Sequence, residues 1–154
     1  MAFCHNRPHM ISPSDIALLR RFESRTLPHE EWTHRTHVRV AYCYLARLPF
    51  ESALDRLREG IKLLNEAHAL VEGPTSGYNE TTTRAFLHLI AATIAAYGKT
   101  FATVDADAFC DRHTQLMNRH VLRLFYSPER RMDPRAKTEF VEPDLAPLPR
   151  IVLS

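Results

Sequence analysis

An all-α, single-domain, up-and-down bundle of about five helices with a Pro-rich C-terminal strap is the fold this sequence predicts. Three observations predict it. Apolar residues recur at helical spacing in successive segments, the connections are short and rich in turn residues, and no segment sustains period-two alternation apart from Arg150 to Leu153. At 154 residues the chain has a common single-domain size and can bury a sizeable core without staples. Residues 1–154 are read as one domain, with a core from about 12 to 126 and a strap from 127 to 154.

The first helix opens at Ser12-Pro-Ser-Asp15, where Ser12 caps, Pro13 fits the first helical position, and Ile16, Leu19 and Phe22 follow at helical spacing. Thr26-Leu-Pro28 ends it. A second helix is expected from about Glu30 to Arg47, with Val38, Ala41, Tyr42 and Leu45 as its apolar stripe and Pro49 as its stop. The third, about Phe50 to Leu70, carries Ala53, Leu54, Leu57, Ile61 and Leu64 in an amphipathic pattern. Gly73-Pro-Thr-Ser-Gly77 is a turn. A fourth helix is expected from near Tyr78 to about Tyr97, its alanines 85, 91, 92, 95 and 96 suiting a place at the centre of the bundle. Gly98-Lys-Thr breaks it, and a fifth helix from about Asp105 to Phe125 shows Phe109, Leu116, Val121 and Leu124. Beyond Ser127, Asp133-Pro134 looks like a cap and first turn, giving a short helix through about Phe140 before an extended tail. Phe140, Val141, Leu145 and Leu148 are its apolar anchors.

Composition excludes several functions. The formal charge is +2, with Arg and Lys interleaved among Glu and Asp, so no basic stripe for a nucleic acid is present. The longest apolar stretch, Phe86 to Tyr97, is too short for a bilayer, and the first residues lack the apolar run of a signal peptide. A cytoplasmic protein is expected. Cys4, Cys43 and Cys110 are odd in number and far apart, which signals neither a disulfide framework nor a thiolate zinc site. Asn79-Glu80-Thr81 fits a glycosylation sequon that a cytoplasmic protein would not have modified.

The segment Glu30-Glu-Trp-Thr-His-Arg-Thr-His-Val38 carries most of the candidate chemistry. His34 and His37, three apart, share a helical face that continues into Val38, Ala41 and Leu45, so both imidazoles are expected to point inward. Glu31 stands three before His34, a Glu-x-x-His step of the kind that ligates metals in bundles, but no second such step accompanies it. One divalent ion, zinc, iron or manganese, held by His34, His37 and the carboxylate of Glu80, is one expectation. Two satisfied histidines bonded to backbone or neighbouring side chains are another. In Tyr78-Asn-Glu-Thr-Thr-Thr83, Ser76 or Asn79 caps the fourth helix and Glu80 complements its dipole, while Tyr78, Thr82, Ala85 and Leu89 share an inward face. His68, His113 and His120 are expected to be core histidines, and Cys110 near His113 lacks a group to orient it as a nucleophile.

Taken together, Leu27-Pro-x-x-Glu31-Trp-Thr-His-x-x-His-Val38, Thr75-Ser-Gly-Tyr-x-Glu-Thr-x-Thr83 and Phe140-Val-Glu-Pro-Asp-Leu-x-Pro-Leu148 resemble a family of small uncharacterised bacterial helical proteins, over roughly residues 22 to 148. The resemblance implies no reaction. In that family the second motif commonly reads Gly-Tyr-His-Glu-Thr, and this chain has Asn79 where the histidine falls.

These readings lead to a small-molecule enzyme whose polar pocket joins His34, His37, Tyr78 and Glu80, with Trp32, Asn79 and Thr82 beside them and His34 or His37 as base. The alternative is a helical module that binds a ligand or a protein without chemistry. A small molecule is the expected partner, with a homodimer left open and neither nucleic acid nor membrane expected.

Overall fold

The structure, a computed structural model, describes residues 11–98, 100 and 105–151. Cys4 and the rest of the N-terminal segment, Lys99 in the Gly98-Lys-Thr break, and Val152 and Leu153 of the terminal alternation lie outside the described residues. The chain is an all-α, single-domain, up-and-down bundle with a short Pro-rich C-terminal region. Its helices are α1 (Pro13–Glu23), α2 (His34–Arg47), α3 (Phe50–Ala67), α4 (Glu80–Tyr97), α5 (Ala106–Arg112), α6 (Pro128–Met132) and α7 (Pro134–Thr138). Short 3-10 turns lie at His29–Glu31, Thr114–Met117 and Val121–Leu124. Among the described residues the β pairing is a single isolated bridge, Gly73 to Ser76.

The local signals act where their chemistry says. Ser12 and Asp15 form a complete capping box around Pro13, satisfying donors the first turn leaves open. Asp15 is almost fully buried and also accepts the Ala106 N–H at 3.0 Å, so one carboxylate ties the start of α1 to the start of α5. Helix α3 buries Ala53, Leu54, Leu57, Ile61 and Leu64, the stripe its periodicity announces. Gly77, at φ +88°, turns the chain into α4 in a conformation that side chains disfavour.

Three expectations are corrected. The centre of the bundle is α2, which packs against α1, α3, α4 and α5. Its Val38, Val40, Ala41, Tyr42, Cys43 and Tyr44 are all buried, which no single stripe can achieve. Ala95 and Ala96, by contrast, lie toward the surface end of α4. The second correction concerns helix starts: the chain is a 3-10 turn through Glu31 and enters α2 only at His34, while α4 begins at Glu80. Thirdly, the expected helix from Asp105 to Phe125 stops at Arg112 and gives way to two 3-10 turns. Its ladder is diverted there. The Leu116 carbonyl receives His34 Nε2–H at 2.8 Å, and the His120 N–H is taken by the Asn118 side chain at 2.9 Å, so local and long-range partners replace helical ones. His120 is consequently exposed, while His113 is buried between the rings of Tyr97 and Phe109.

The strap folds back on the bundle. The Val141 N–H donates to Thr81 Oγ1 at 3.1 Å, Tyr126 Oη donates to the Val141 carbonyl at 2.9 Å, and the Leu145 N–H donates to the Phe125 carbonyl at 2.9 Å. Val141 is buried and Phe140 and Leu148 pack against the core, whereas the expected anchor Leu145 is 58% exposed.

Candidate functional site

The first turn of α2 is held in place from both sides. Thr33 caps it, Thr36 Oγ1 donates to the Glu31 carbonyl at 2.7 Å, and Glu31 is ion-paired with Arg21 of α1. Glu31 is thereby engaged as a surface partner and not as the carboxylate of a Glu-x-x-His ligand step. Trp32 stacks on Phe22 with ring centroids 5.1 Å apart, and Phe22 meets Tyr44 edge-on at 6.3 Å. Tyr44 Oη donates to Glu23 at 2.8 Å. Burial and the Glu23 carboxylate both push the Tyr44 phenol above its ordinary range. A polar and aromatic cluster of Trp32, His37, Tyr44 and Glu23 thus sits between helices.

Both histidines of the first segment are half-buried. His34 donates from Nε2 to the Leu116 carbonyl and meets Phe86 edge-on at 5.1 Å. His37 donates from Nδ1 to the Thr33 carbonyl at 2.7 Å, which leaves its lone pair on Nε2. Its ring lies over Trp32 with centroids 3.7 Å apart. Burial holds the His37 pKa down to about 4; the Thr33 carbonyl opposes that and the nearby His34 reinforces it. At neutral pH the ring is therefore uncharged.

Two cavities adjoin these rings. The larger, about 370 Å³, lies between α2, α3 and α4 and is lined by Trp32, His34, His37, Val38, Ala41, Leu57, Ile61, Thr82, Thr83, Phe86, Leu87, Ile90 and Arg119. Its wall is mainly apolar, with Arg119 contributed by the loop after the first 3-10 turn of the C-terminal half. A cleft of about 280 Å³ is lined by His29, Trp32, His37, Ile61, Asn65, Leu70, Gly77, Tyr78, Asn79, Thr82 and Thr83. Residues of the first two motifs meet here: Trp32 and His37 from one, Tyr78, Asn79 and Thr82 from the other. Asn79 caps α4, its side-chain oxygen accepting the Thr82 N–H at 2.9 Å.

Glu80 lines neither of these cavities. It faces a polar cleft of about 770 Å³ together with Arg58, Lys62, Asn65, Tyr78 and Lys137. Arg58 clamps its carboxylate from Nε at 3.0 Å and from the second guanidinium nitrogen at 2.5 Å, and Tyr78 Oη donates to it at 2.5 Å. Arg58 first, then Tyr78, holds the Glu80 carboxyl below the usual carboxylate range. The Tyr78 phenol is raised by burial and by the Glu80 charge beside it. Tyr78 thus borders both the polar cleft and the His37 cleft, while Glu80 has its own cationic partner.

Among the described residues no group of three or more His, Cys, Asp or Glu side chains is placed to hold a metal ion. The donors anticipated for a divalent ion divide between the cavity of His34 and His37 and the clamp on Glu80. Cys43 and Cys110 are free and buried, and burial pushes their thiols up to about 12 and about 11, where they are poor nucleophiles. No helix among the described residues is long and apolar enough to cross a membrane.

Sequence reasoning missed Arg58, Arg119, His29 and Asn65. Arg58 and Arg119 read as ordinary surface cations, because Glu80, the partner of Arg58, and the residues that share the cavity wall with Arg119 lie far away in the chain. His29 packs edge-on against His68, which donates to the Leu27 carbonyl at 2.8 Å; only its place beside Leu27-Pro hinted at a role. Compared with protein-family models, with curated proteins and with solved structures, the chain matches none.

Proposed function

We propose that this protein is a helical ligand-binding module that takes a small, largely apolar molecule into the cavity between α2, α3 and α4. The observation that carries this reading is the cavity wall itself. An opening of about 370 Å³, lined mostly by aliphatic and aromatic side chains with a few polar groups, has the size and chemistry of a small-molecule pocket. Rigid rings border it: Trp32 is braced by Phe22, and His34 is fixed by a backbone carbonyl. Such preorganisation lowers the ordering cost of binding.

An enzyme using His37 as base is the second reading, favoured by its carbonyl-anchored tautomer. A conjugate acid of pKa about 4 makes a weak proton acceptor at neutral pH, which supports binding over acid/base chemistry. The same anchored tautomer is the one a metal-binding imidazole adopts, and a divalent ion bound through His34 and His37 is a subsidiary proposal. Elemental analysis of protein purified without chelator tests it.

Titration with the uncharged dye N-phenylnaphthylamine tests the main reading. A saturable rise in dye emission is expected, strongly weakened in an Ala41→Leu variant that narrows the cavity and keeps its helical circular dichroism. An absent rise, or one that the variant leaves unchanged, overturns it.

A further inference from the structure

The cavity carries one full charge at its edge. Arg119 is exposed and lines the mainly apolar pocket, and among the described residues no carboxylate is ion-paired with it. Its Nε donates to the neighbouring His120 at 3.4 Å, which leaves the two terminal nitrogens of the fork for another acceptor. The surroundings strengthen the positive field. The charge of Arg123 first, then desolvation and the charges of Arg119 and Arg131, lowers the His120 imidazole below its ordinary pKa, so the ground beside Arg119 is electropositive, although Arg119 is the guanidinium that lines the cavity. The opposite arrangement, an acid at the mouth, would repel anions and admit cations.

We propose, resting on the ligand-binding reading above, that the ligand is an amphipathic monocarboxylate, its apolar body in the cavity and its carboxylate held by the Arg119 fork. A planar guanidinium matches a carboxylate with two parallel bonds. The neutral His37 adds no competing charge inside, and the lining threonines, Thr82 and Thr83, supply hydroxyls to the polar part of the body. An anionic head at Arg119 also removes the difficulty an aliphatic pocket has in orienting a chain, since one end becomes distinct from the other.

Decanoate and decanol separate the head-group claim from the cavity claim. Trp32 is the chain's only tryptophan and lines the pocket, so its emission reports both ligands. Wild-type protein is expected to bind decanoate roughly ten- to a hundredfold more tightly than decanol, the range of one charge-assisted contact. In Arg119→Gln that preference should vanish while decanol affinity holds, and the unchanged decanol binding shows that the variant's cavity is intact. Raising the salt concentration should shrink the wild-type preference. Equal binding of the two by wild type, or a preference that survives Arg119→Gln, overturns the carboxylate proposal and leaves the cavity reading standing. Failure of wild type to bind either overturns both.

Discussion

The imidazole of His37 lies over the indole of Trp32 with ring centroids 3.7 Å apart and planes 31° from parallel. A stacked neutral imidazole is a weak quencher of indole emission, and a protonated one is a strong quencher. Since burial holds the His37 proton off until about pH 4, the emission of Trp32 should fall on acidification with a midpoint well below 6.5. His37→Gln should abolish the step. A midpoint near 6.5, with circular dichroism unchanged, would show that His37 titrates as an exposed histidine.

The same proton links pH to stability. The folded-state pKa of His37 is depressed, so below about 6.5 the unfolded chain binds the proton more tightly, and stability is lost as pH falls toward 4. The full difference corresponds to roughly 3 kcal/mol at the acid limit. The ring is only half-buried, and solvent screening reduces the expected loss to about 1–2 kcal/mol. Urea unfolding of wild type and His37→Gln should therefore differ most at neutral pH and converge toward pH 4. A difference independent of pH would remove His37 from the linkage.

Gly60, in the interior of α3, should resist replacement although alanine is the better helix former. A Cβ there would stand 2.3 Å from Cε1 of Phe22 and 2.4 Å from its Cζ. Phe22 is fully buried and stacked on Trp32, so its ring has little room to move. Overpacking of about 1–3 kcal/mol outweighs the roughly 1 kcal/mol that Gly-to-Ala gains in an exposed helix. Gly60→Ala should lower the melting temperature, and Phe22→Leu in the same chain should soften the penalty. A stabilised single variant would mean that Phe22 finds another place.

Particular residues show how much was legible. Ser12, Pro13 and Asp15 marked the start of α1 because a capping box is local chemistry, and Leu54, Leu57, Ile61 and Leu64 marked α3 because one buried face repeats regularly. The non-helical path after α5 was not legible: the Leu116 carbonyl is taken by His34, some eighty residues earlier in the chain. In the candidate site, the shared face of His34 and His37 followed from helical spacing, whereas Tyr78 precedes α4 and is buried for reasons outside the helical face assigned to it, of which Thr82 is exposed. The partner of Glu80 was not legible, since Arg58 sits beside the apolar stripe of α3 like any solvated cation and nothing local joins the two. Arg119 was hidden because the cavity wall it joins is built from residues 32 to 90, which nothing in its own neighbourhood announces.

Removing the guanidinium of Arg58 should expose the dependence of Glu80 on it. The Glu80 side chain is 12% exposed, and without Arg58 its charge would keep Tyr78 Oη, the more distant charge of Lys62 and partial hydration. Arg58→Leu should cost about 1–3 kcal/mol in urea unfolding, below the value for a fully buried pair because Arg58 itself is 30% exposed. Tyr78→Phe should cost about 1 kcal/mol. Because Arg58 and Tyr78 share the one carboxylate of Glu80, the double variant should depart from additivity by at least 0.5 kcal/mol or so. Strict additivity would mean that the three do not act as a unit.

The hydroxyl of Thr81 should be one of the strap's main attachments. Thr81 Oγ1, buried at the start of α4, accepts the Val141 N–H at 3.1 Å and donates to the Glu139 carbonyl at 3.0 Å, bridging two backbone groups that no regular ladder serves. Thr81→Val keeps the shape and removes both bonds, leaving a buried N–H unsatisfied at a cost of about 1–3 kcal/mol. Thr81→Ser keeps the hydroxyl and should cost clearly less. Val141→Ala removes a side chain that is only 3% exposed and should cost roughly 1–3 kcal/mol through lost burial and a residual void. Deleting the chain from Glu139 onward loses all of these contacts and uncovers the face of α4 that they protect, so its melting temperature should fall further than that of either point variant. An unchanged melting temperature in the truncated protein would mean that the strap merely lies on the bundle, and Thr81→Val should then be as stable as wild type.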